Sequence, residues 1–389
     1  PSDYVVENLS IDRLRNLQQR FQIDDIYPAS SLQQGFVHHH ITQPTDDAYR
    51  VQLLIDYHQA LNVEKYQQAW GLASAKYPAL RTAFDWDGDI LQIITSNPSI
   101  SSDHFEFYDL SQYDENERVD LIKEIQQKDR LSAFDLTRPR LIRFTIMKQT
   151  SSLFTVMKTE HHSIGDGWSS PILLQTIHQY YDALMNGKVP TIEVDNAYLA
   201  TQRYNFEHKA KSDTYWQLAK QNFEGVNDLK WILSQPIDLE SIKTVTSPGE
   251  SQISLQGSAY QALKQLCFRS RVTVNVALQF AWHKLIQIYT ADSQTIVGTT
   301  VSGRDVPVDG IYDSVGLFIN TLPLSVDWHE SLSVHDVLLA IQESIAAINS
   351  HSNISLANIQ CNGERLFHSL LVFENYPMPS ENSCFAKND

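Results

Sequence analysis

TEHHSIGDGWSS, residues 159–170, carries two adjacent histidines and an Asp-Gly pair between segments of different periodicity. Leu153–Thr159 before it is rich in branched and aromatic residues and predicts a β-strand. After it, Ser169 or Ser170 would cap a helix with Pro171 in its first turn, a favoured combination. Gly165 and Gly167 between the two predict a tight loop. Neighbouring residues on an extended segment point to opposite sides, so one imidazole can face a cleft while the other packs inward. Three chemical readings fit this stretch. One histidine can act as a general base or positioning group with Asp166 supporting the loop, since imidazole titrates near pH ~6.5. His161, His162 and Asp166 can be weighed as metal ligands, but the adjacent side chains diverge and no fourth ligand is evident. Both histidines can also be hydrogen-bonded core residues. The residues of this stretch alone leave these open.

Working outward, Ser10–Phe21 has a helical apolar stripe, and Ser30 or Ser31 would cap a helix to about His40, which ends in a His38–His40 run read as a helix terminus. Tyr49–Tyr57 alternates like a strand, and Leu61–Tyr77 is helical until Pro78. Leu80–Trp86 and Ile90–Thr95 read as a hairpin around Asp87-Gly88. Asn116–Leu131 reads as a helix and Leu141–Met147 as a strand. The helix after the histidines runs to about Met185, with Asn186-Gly187 as its stop.

Lys188–Asp195 is the candidate linker and sets a boundary between 1–187 and 188–389. The second half has predicted helices near Asp213–Asn222, Ser258–Arg269, Val274–Tyr289 and Val334–Asn349. Its predicted strands are Ile296–Val301, Leu317–Val326 and Leu366–Phe373. Each half mixes a sheet with covering helices, an α/β class of the α+β, mixed-sheet kind. It is not the strict alternation of a doubly wound fold, and neither GxGxxG nor a GxxxxGK[ST] loop occurs.

The 389 residues are 42% hydrophobic and 20% charged, ordinary for a globular protein, and long enough for two cores. A formal net charge of −16 argues against nucleic acid or anionic membrane as the main partner. Three cysteines without metal-type spacing, and no apolar run of membrane length, point to the cytoplasm. Pro1-Ser2-Asp3 lacks an initiator Met, and the sequence reads as a piece of a longer polypeptide.

Set against whole-chain motifs, HHxxxDG between strand and helix resembles the core motif of nonribosomal peptide synthetase condensation domains, and four further segments agree in order. IYPASSLQQGFVHH (Ile26–His39) resembles the opening IYPLSPLQ-type motif. YPALRTAF (Tyr77–Phe84) resembles H-x-x-L-R-T-x-F, with Tyr77-Pro78 in place of the usual Arg/Lys-His. TTVSGRDVPVDGIYDSVGLFINTLPL (Thr299–Leu324) resembles the SGR…VGxFxNTxPL stretch, and LFHSLLVFENYP (Leu366–Pro377) the LFDSLLVFENYP segment.

The resemblance implies two chloramphenicol-acetyltransferase-like lobes in a V-shaped pseudo-dimer with a channel between them. It implies amide bond formation: the α-amine of one carrier-bound aminoacyl group attacks an acyl or peptidyl thioester on another carrier. His162 would receive or orient the amine proton, Gly167 would keep the backbone slim and offer its amide to the oxyanion, and His161 would lie beneath the loop. Asp166 would be structural, paired with Arg304 of SGR. Trp168, Ser169, Asn320 and Thr321 would border the substrates. No intrinsic cofactor or metal is implied; the substrates ride on phosphopantetheine arms of upstream donor and downstream acceptor carrier proteins. An adjacent adenylation domain would activate them, as neither an adenylation motif nor the Gly-Gly-x-Ser attachment site is visible.

DGWS favours condensation over epimerisation, whose domains read DGxSW, and the two histidines exclude the heterocyclising branch. IYPASSLQQG resembles domains that often take a peptidyl donor ending in a D-residue. Two alternatives stay open at this stage: a related acyltransferase using a free amine or alcohol, and a non-catalytic docking domain.

Overall fold

The computed structural model describes residues 3–96, 100–232, 237–239, 249–360 and 364–375. It divides into two compact units. The first runs up to Glu207 and takes in Pro307–Phe318; the second comprises His208–Val306 and Ile319–Glu374.

The first unit is built on a four-stranded sheet in the order Arg50–Tyr57, Phe154–His161, Ile142–Lys148, Phe105–Asp109. Its first two pairings are antiparallel and the last is parallel, making a mixed sheet. Alternation along Phe154–His161 serves two cores. Phe154 and Val156 join Trp70, Phe144 and Ile177 of the main cluster, which helices Val63–Lys76 and Ser169–Met185 help to form. Met157 on the opposite face packs with Met147 and Leu110 near Leu121 and Ile125 of helix Glu115–Leu131. A central strand covered on both faces reads as a nearly continuous buried run, and all eight of its residues are buried.

A smaller antiparallel sheet, in the order Ile23–Pro28, Leu91–Thr95, Thr82–Asp85, lies under helix Ile11–Arg20. The hairpin joining its last two strands turns through Asp87-Gly88, where Gly88 takes φ +99°. Arg81 of the LRT run is 6% exposed; it bonds the Ser74 carbonyl at 2.9 Å, Asp24 at 2.7 Å and the Thr95 carbonyl. It is a staple between helix and sheet.

In the second unit Gln294–Val301 is the central strand, antiparallel to Asn320–Asp327 and parallel to the two-residue strand Leu370–Leu371. Helices Val274–Thr290 and Val334–Ser350 help bury Leu322, Leu324, Val276 and Ile341 against it.

Several expectations shift. The unit boundary falls twenty residues beyond 187, because the Lys188–Asp195 coil is followed by an unpredicted helix, Asn196–Glu207, held to the first unit. Asp195 donates its amide to the Lys76 carbonyl at 2.8 Å, and the Tyr198 hydroxyl donates to Gln92 at 2.7 Å. Strands Ile23–Pro28 and Phe105–Asp109 were not predicted; one carries an acidic pair and a terminal proline, and the other is a five-residue edge. Leu317–Phe318 lies outside the strand that starts at Asn320, and Leu366–Phe373 contributes only Leu370–Leu371. Tyr376 and Pro377 of the FENYP run lie outside the described residues.

Candidate active site

The pairing of Arg50 with His161 closes the regular ladder between the edge strand Arg50–Tyr57 and the central strand Phe154–His161 of the first unit. One further backbone bond lies beyond it, from the His162 amide to the Tyr49 carbonyl at 2.8 Å. There the chain leaves the sheet in a short 3-10 turn, His162–Ile164. The imidazole of His162 is half-buried, and its Nδ1 lies 2.9 Å from the Gly165 carbonyl oxygen. A carbonyl can only accept, so Nδ1 carries a proton, and in the neutral ring this leaves the lone pair on Nε2. That is the tautomer a proton acceptor at Nε2 needs.

His161 has the opposite arrangement. The Ser163 amide donates to its Nδ1 at 3.2 Å, leaving the proton on Nε2, and the Ser163 hydroxyl lies 2.8 Å from the same nitrogen. The residue is 5% exposed, and burial, with neighbouring His40, His162 and Arg50, lowers its pKa to about 3. His161 is therefore a buried, neutral residue of the loop.

Asp166 organises the remainder of the loop. Its Oδ1 accepts from the Ser169 amide at 2.9 Å and lies 2.8 Å from the Ser169 hydroxyl; its Oδ2 accepts from the Phe318 amide at 3.0 Å. Ser169 does not cap the helix. Helix Ser169–Met185 begins with Trp168 at the N-cap position without a side-chain cap, and the amide of its first residue, Ser169, is satisfied by the Asp166 carboxylate. The Ser169 hydroxyl is spent elsewhere, 2.7 Å from the Gly316 carbonyl and accepting from the Gly316 amide at 3.0 Å. At 2% exposure it orders the loop and has no free face for a substrate, contrary to the substrate-lining role expected of it.

Gly316 is held against a second wall. A Cβ on it would meet the Tyr198 ring at 2.3 Å, so only glycine lets this segment approach. The loop is also held from below by Gln33 of the IYPASSLQQG run. The Gln33 amide nitrogen donates to the Ser163 carbonyl at 3.0 Å, while its Oε1 accepts from the Ser30 amide at 2.8 Å. Phe36, one turn further along that helix, places its ring 5.6 Å from His162 and 6.2 Å from His161. Sequence reasoning assigned none of Gln33, Phe36, Tyr49 or Gly316 to the site. Three of them lie in quoted motifs, but only the fold brings them to the histidines.

Gly167 and Trp168, both partly exposed, sit in the same loop. Arg304, Asn320 and Thr321 belong to the second unit. Arg304 is 1% exposed. The Asn320 side chain donates to the Ser352 and Ile354 carbonyls at 2.7 and 2.8 Å and its Oδ1 accepts from the Thr321 amide at 2.8 Å, a stitch between strand and loop. Tyr77, where the family motif departs, is 1% exposed and meets Thr176 of helix Ser169–Met185 at 2.8 Å. Among the described residues no set of three His, Cys, Asp or Glu is placed to hold a metal ion, and no helix is long and apolar enough to cross a membrane.

The model of the family described as Condensation domain matches residues 23–387. This chain belongs to the condensation domain family. The condensation domain is similar to a region of N-(5-amino-5-carboxypentanoyl)-L-cysteinyl-D-valine synthase from Amycolatopsis lactamdurans, 38% identical over 360 residues, 90% of this chain. The synthase of the same name from Penicillium rubens is 32% identical over 372 residues, 93% of this chain. The chain spans 10% of the length of each of these relatives. Among solved structures, the starter condensation domain of rhizomide synthetase superposes with a TM-score of 0.68 at 17% identity, covering 92% of this chain and 80% of that one. The first condensation domain of the calcium-dependent antibiotic synthetase gives 0.65 at 16%, covering 89% and 79%. The fold is that of the condensation domains of nonribosomal peptide synthetases, which form amide bonds between carrier-bound substrates.

Proposed function

We propose that this condensation domain transfers an acyl or peptidyl group from a carrier-bound thioester to the α-amine of a carrier-bound aminoacyl acceptor, with His162 at the reacting nitrogen. The observation that carries this is the 2.9 Å contact of His162 Nδ1 with the Gly165 carbonyl oxygen, which in the neutral ring puts the proton on Nδ1 and the lone pair on Nε2. The names of the two relatives above, synthases of a cysteinyl-valine peptide, support amide formation.

In this reading the amine nitrogen attacks the thioester carbonyl carbon. A C–N bond forms, and the proton lost from nitrogen is taken or guided by Nε2 of His162. The C–S bond then breaks, and the proton goes to the departing carrier thiol. A neutral amine is already nucleophilic, so placement beside the thioester supplies much of the acceleration. The Gly167 amide lies in the same loop and is assigned to the developing oxyanion. Trp168 is assigned to a substrate border, while Asp166 and Ser169 position the loop. The donor and acceptor carriers and an adjacent adenylation domain complete the system in the longer polypeptide.

The test is single-turnover transfer followed by intact-protein mass spectrometry, with the acceptor supplied on its carrier or as a free amino acid or alcohol. Acyl mass appearing on the acceptor carrier supports the reading. Transfer only to the free acceptor supports the acyltransferase alternative, and none, with tight carrier binding, supports docking.

A further inference from the structure

Tyr49 stands out on the backbone. Its φ is +67°, one of four positive values at non-glycine residues among the described residues, in a region that a bulky side chain seldom occupies. It sits where the Asp46–Arg50 turn enters the edge strand Arg50–Tyr57, and its carbonyl is the acceptor for the His162 amide at 2.8 Å. The turn is heavily tied. Asp46 accepts from the Ala48 amide at 3.1 Å and from Arg50 through its carbonyl at 2.8 Å, and the Arg50 amide donates to the Asp47 carbonyl at 3.2 Å.

The Tyr49 ring is clamped from the helix Ser31–Thr42. Phe36 lies 4.3 Å from it, centroid to centroid, and His39 meets it edge-on at 5.1 Å. His39 is itself held 3.2 Å from Asp46, so the turn and the helix end grip the ring together. The same Phe36 ring rests 5.6 Å from the His162 imidazole. Backbone and side chain of one residue thus reach His162 by two routes: a direct hydrogen bond to its amide, and an aromatic contact through Phe36. The second route also gives the His38–His40 run a role beyond ending its helix.

We infer that Tyr49 is a positioning residue for His162: its left-handed backbone aims a carbonyl at the His162 amide, and its ring, locked by Phe36 and His39, fixes the plane against which the imidazole packs. The inference rests on the assignment of His162 made above. Tyr49 does not touch the reacting atoms in this account and acts only through His162.

Tyr49→Phe, Tyr49→Gly and Tyr49→Leu separate the elements. Phenylalanine keeps the ring. Glycine accepts the left-handed backbone and removes the ring. Leucine keeps bulk but not the aromatic plane, and serves if the glycine variant is unstable. Each would be compared with wild type by thermal unfolding, by transfer kinetics between loaded carriers, and by a ¹H–¹⁵N imidazole spectrum that reports the His162 tautomer. Tyr49→Phe should transfer within about twofold of wild type, while Tyr49→Gly and Tyr49→Leu should lose about 10- to 100-fold in kcat at similar KM, the scale of a small misplacement. In those two the Nδ1–H signature of His162 should weaken. Folded Gly and Leu variants with wild-type kcat and an unchanged tautomer would overturn the inference. His162→Ala, assayed alongside, keeps the two claims apart: normal transfer there removes the assignment of His162, whereas the spectra of the Tyr49 variants still decide whether Tyr49 positions that ring.

Discussion

Asp166 and Phe318, 152 residues apart in sequence, meet through a 3.0 Å hydrogen bond in which the Phe318 amide donates to the Asp166 carboxylate. It ties the histidine loop to the VGLF run, two motifs that the sequence presents far apart. With the Ser169 amide bond it makes Asp166 an acceptor on both carboxylate oxygens at 4% exposure.

Asp166→Asn tests this. The carboxylate accepts on both oxygens, whereas an amide has one acceptor and turns its NH₂ toward the Ser169 or Phe318 amide. Leaving a buried donor unpaired costs about 1–3 kcal/mol. Urea unfolding should show that loss, and transfer should fall with it, because the loop loses its anchor. A variant that is slow yet as stable as wild type would place Asp166 in the chemistry itself.

Gly316→Ala should destabilise by about 1–3 kcal/mol, the usual penalty for overpacking. Tyr198 has no easy retreat: its ring is 1% exposed and its hydroxyl is bonded to Gln92. Combining Gly316→Ala with Tyr198→Leu should recover more of the lost stability than the two single changes predict, measurable as a coupling in a double-mutant cycle.

Lys158 and Glu160 form a 2.7 Å ion pair at 2% and 9% side-chain exposure, on the strand that delivers the histidines. Lys158→Met strands a buried carboxylate and should cost about 3–5 kcal/mol, while replacing both residues by apolar ones of similar size should cost far less. Equal losses in the single and double variants by chemical unfolding would contradict this.

Acid should destabilise the fold through its buried histidines. Burial holds His161 and His283 near about 3 and His178 near about 4. Unfolded histidines titrate near ~6.5. Between those values the unfolded chain binds more protons, so stability is complete above the unfolded value and is lost as pH falls. His161 and His283 should each contribute up to about 1.4 kcal/mol per pH unit across that window. Unfolding midpoints measured from pH 7 to 4.5 should fall steadily, and less steeply in His283→Gln; a flat profile would contradict the buried neutral state.

The legibility of the molecule depends on where its determinants lie. Helix Ser31–Thr42, helix Val63–Lys76 and the Asp87-Gly88 hairpin were readable because caps, proline and turn residues are local signals. The family was readable because whole motifs survive. Phe105–Asp109 was not, since a short parallel edge strand depends on its partner Ile142–Lys148 for existence. For Asp166 a structural part was expected; its acceptance of the Phe318 amide arises only when distant segments pack. Gln33 and Tyr49 act through backbone atoms of the histidine loop, and such contacts leave no spacing pattern to find.

The most direct measurement is transfer between loaded carriers by wild type and His162→Ala, read by intact-protein mass spectrometry under single-turnover conditions. The account predicts acyl mass on the acceptor carrier with wild type, and a rate reduced about 100-fold or more in the variant, the order that general-base and positioning effects supply together. A folded His162→Ala protein that transfers at the wild-type rate would contradict it.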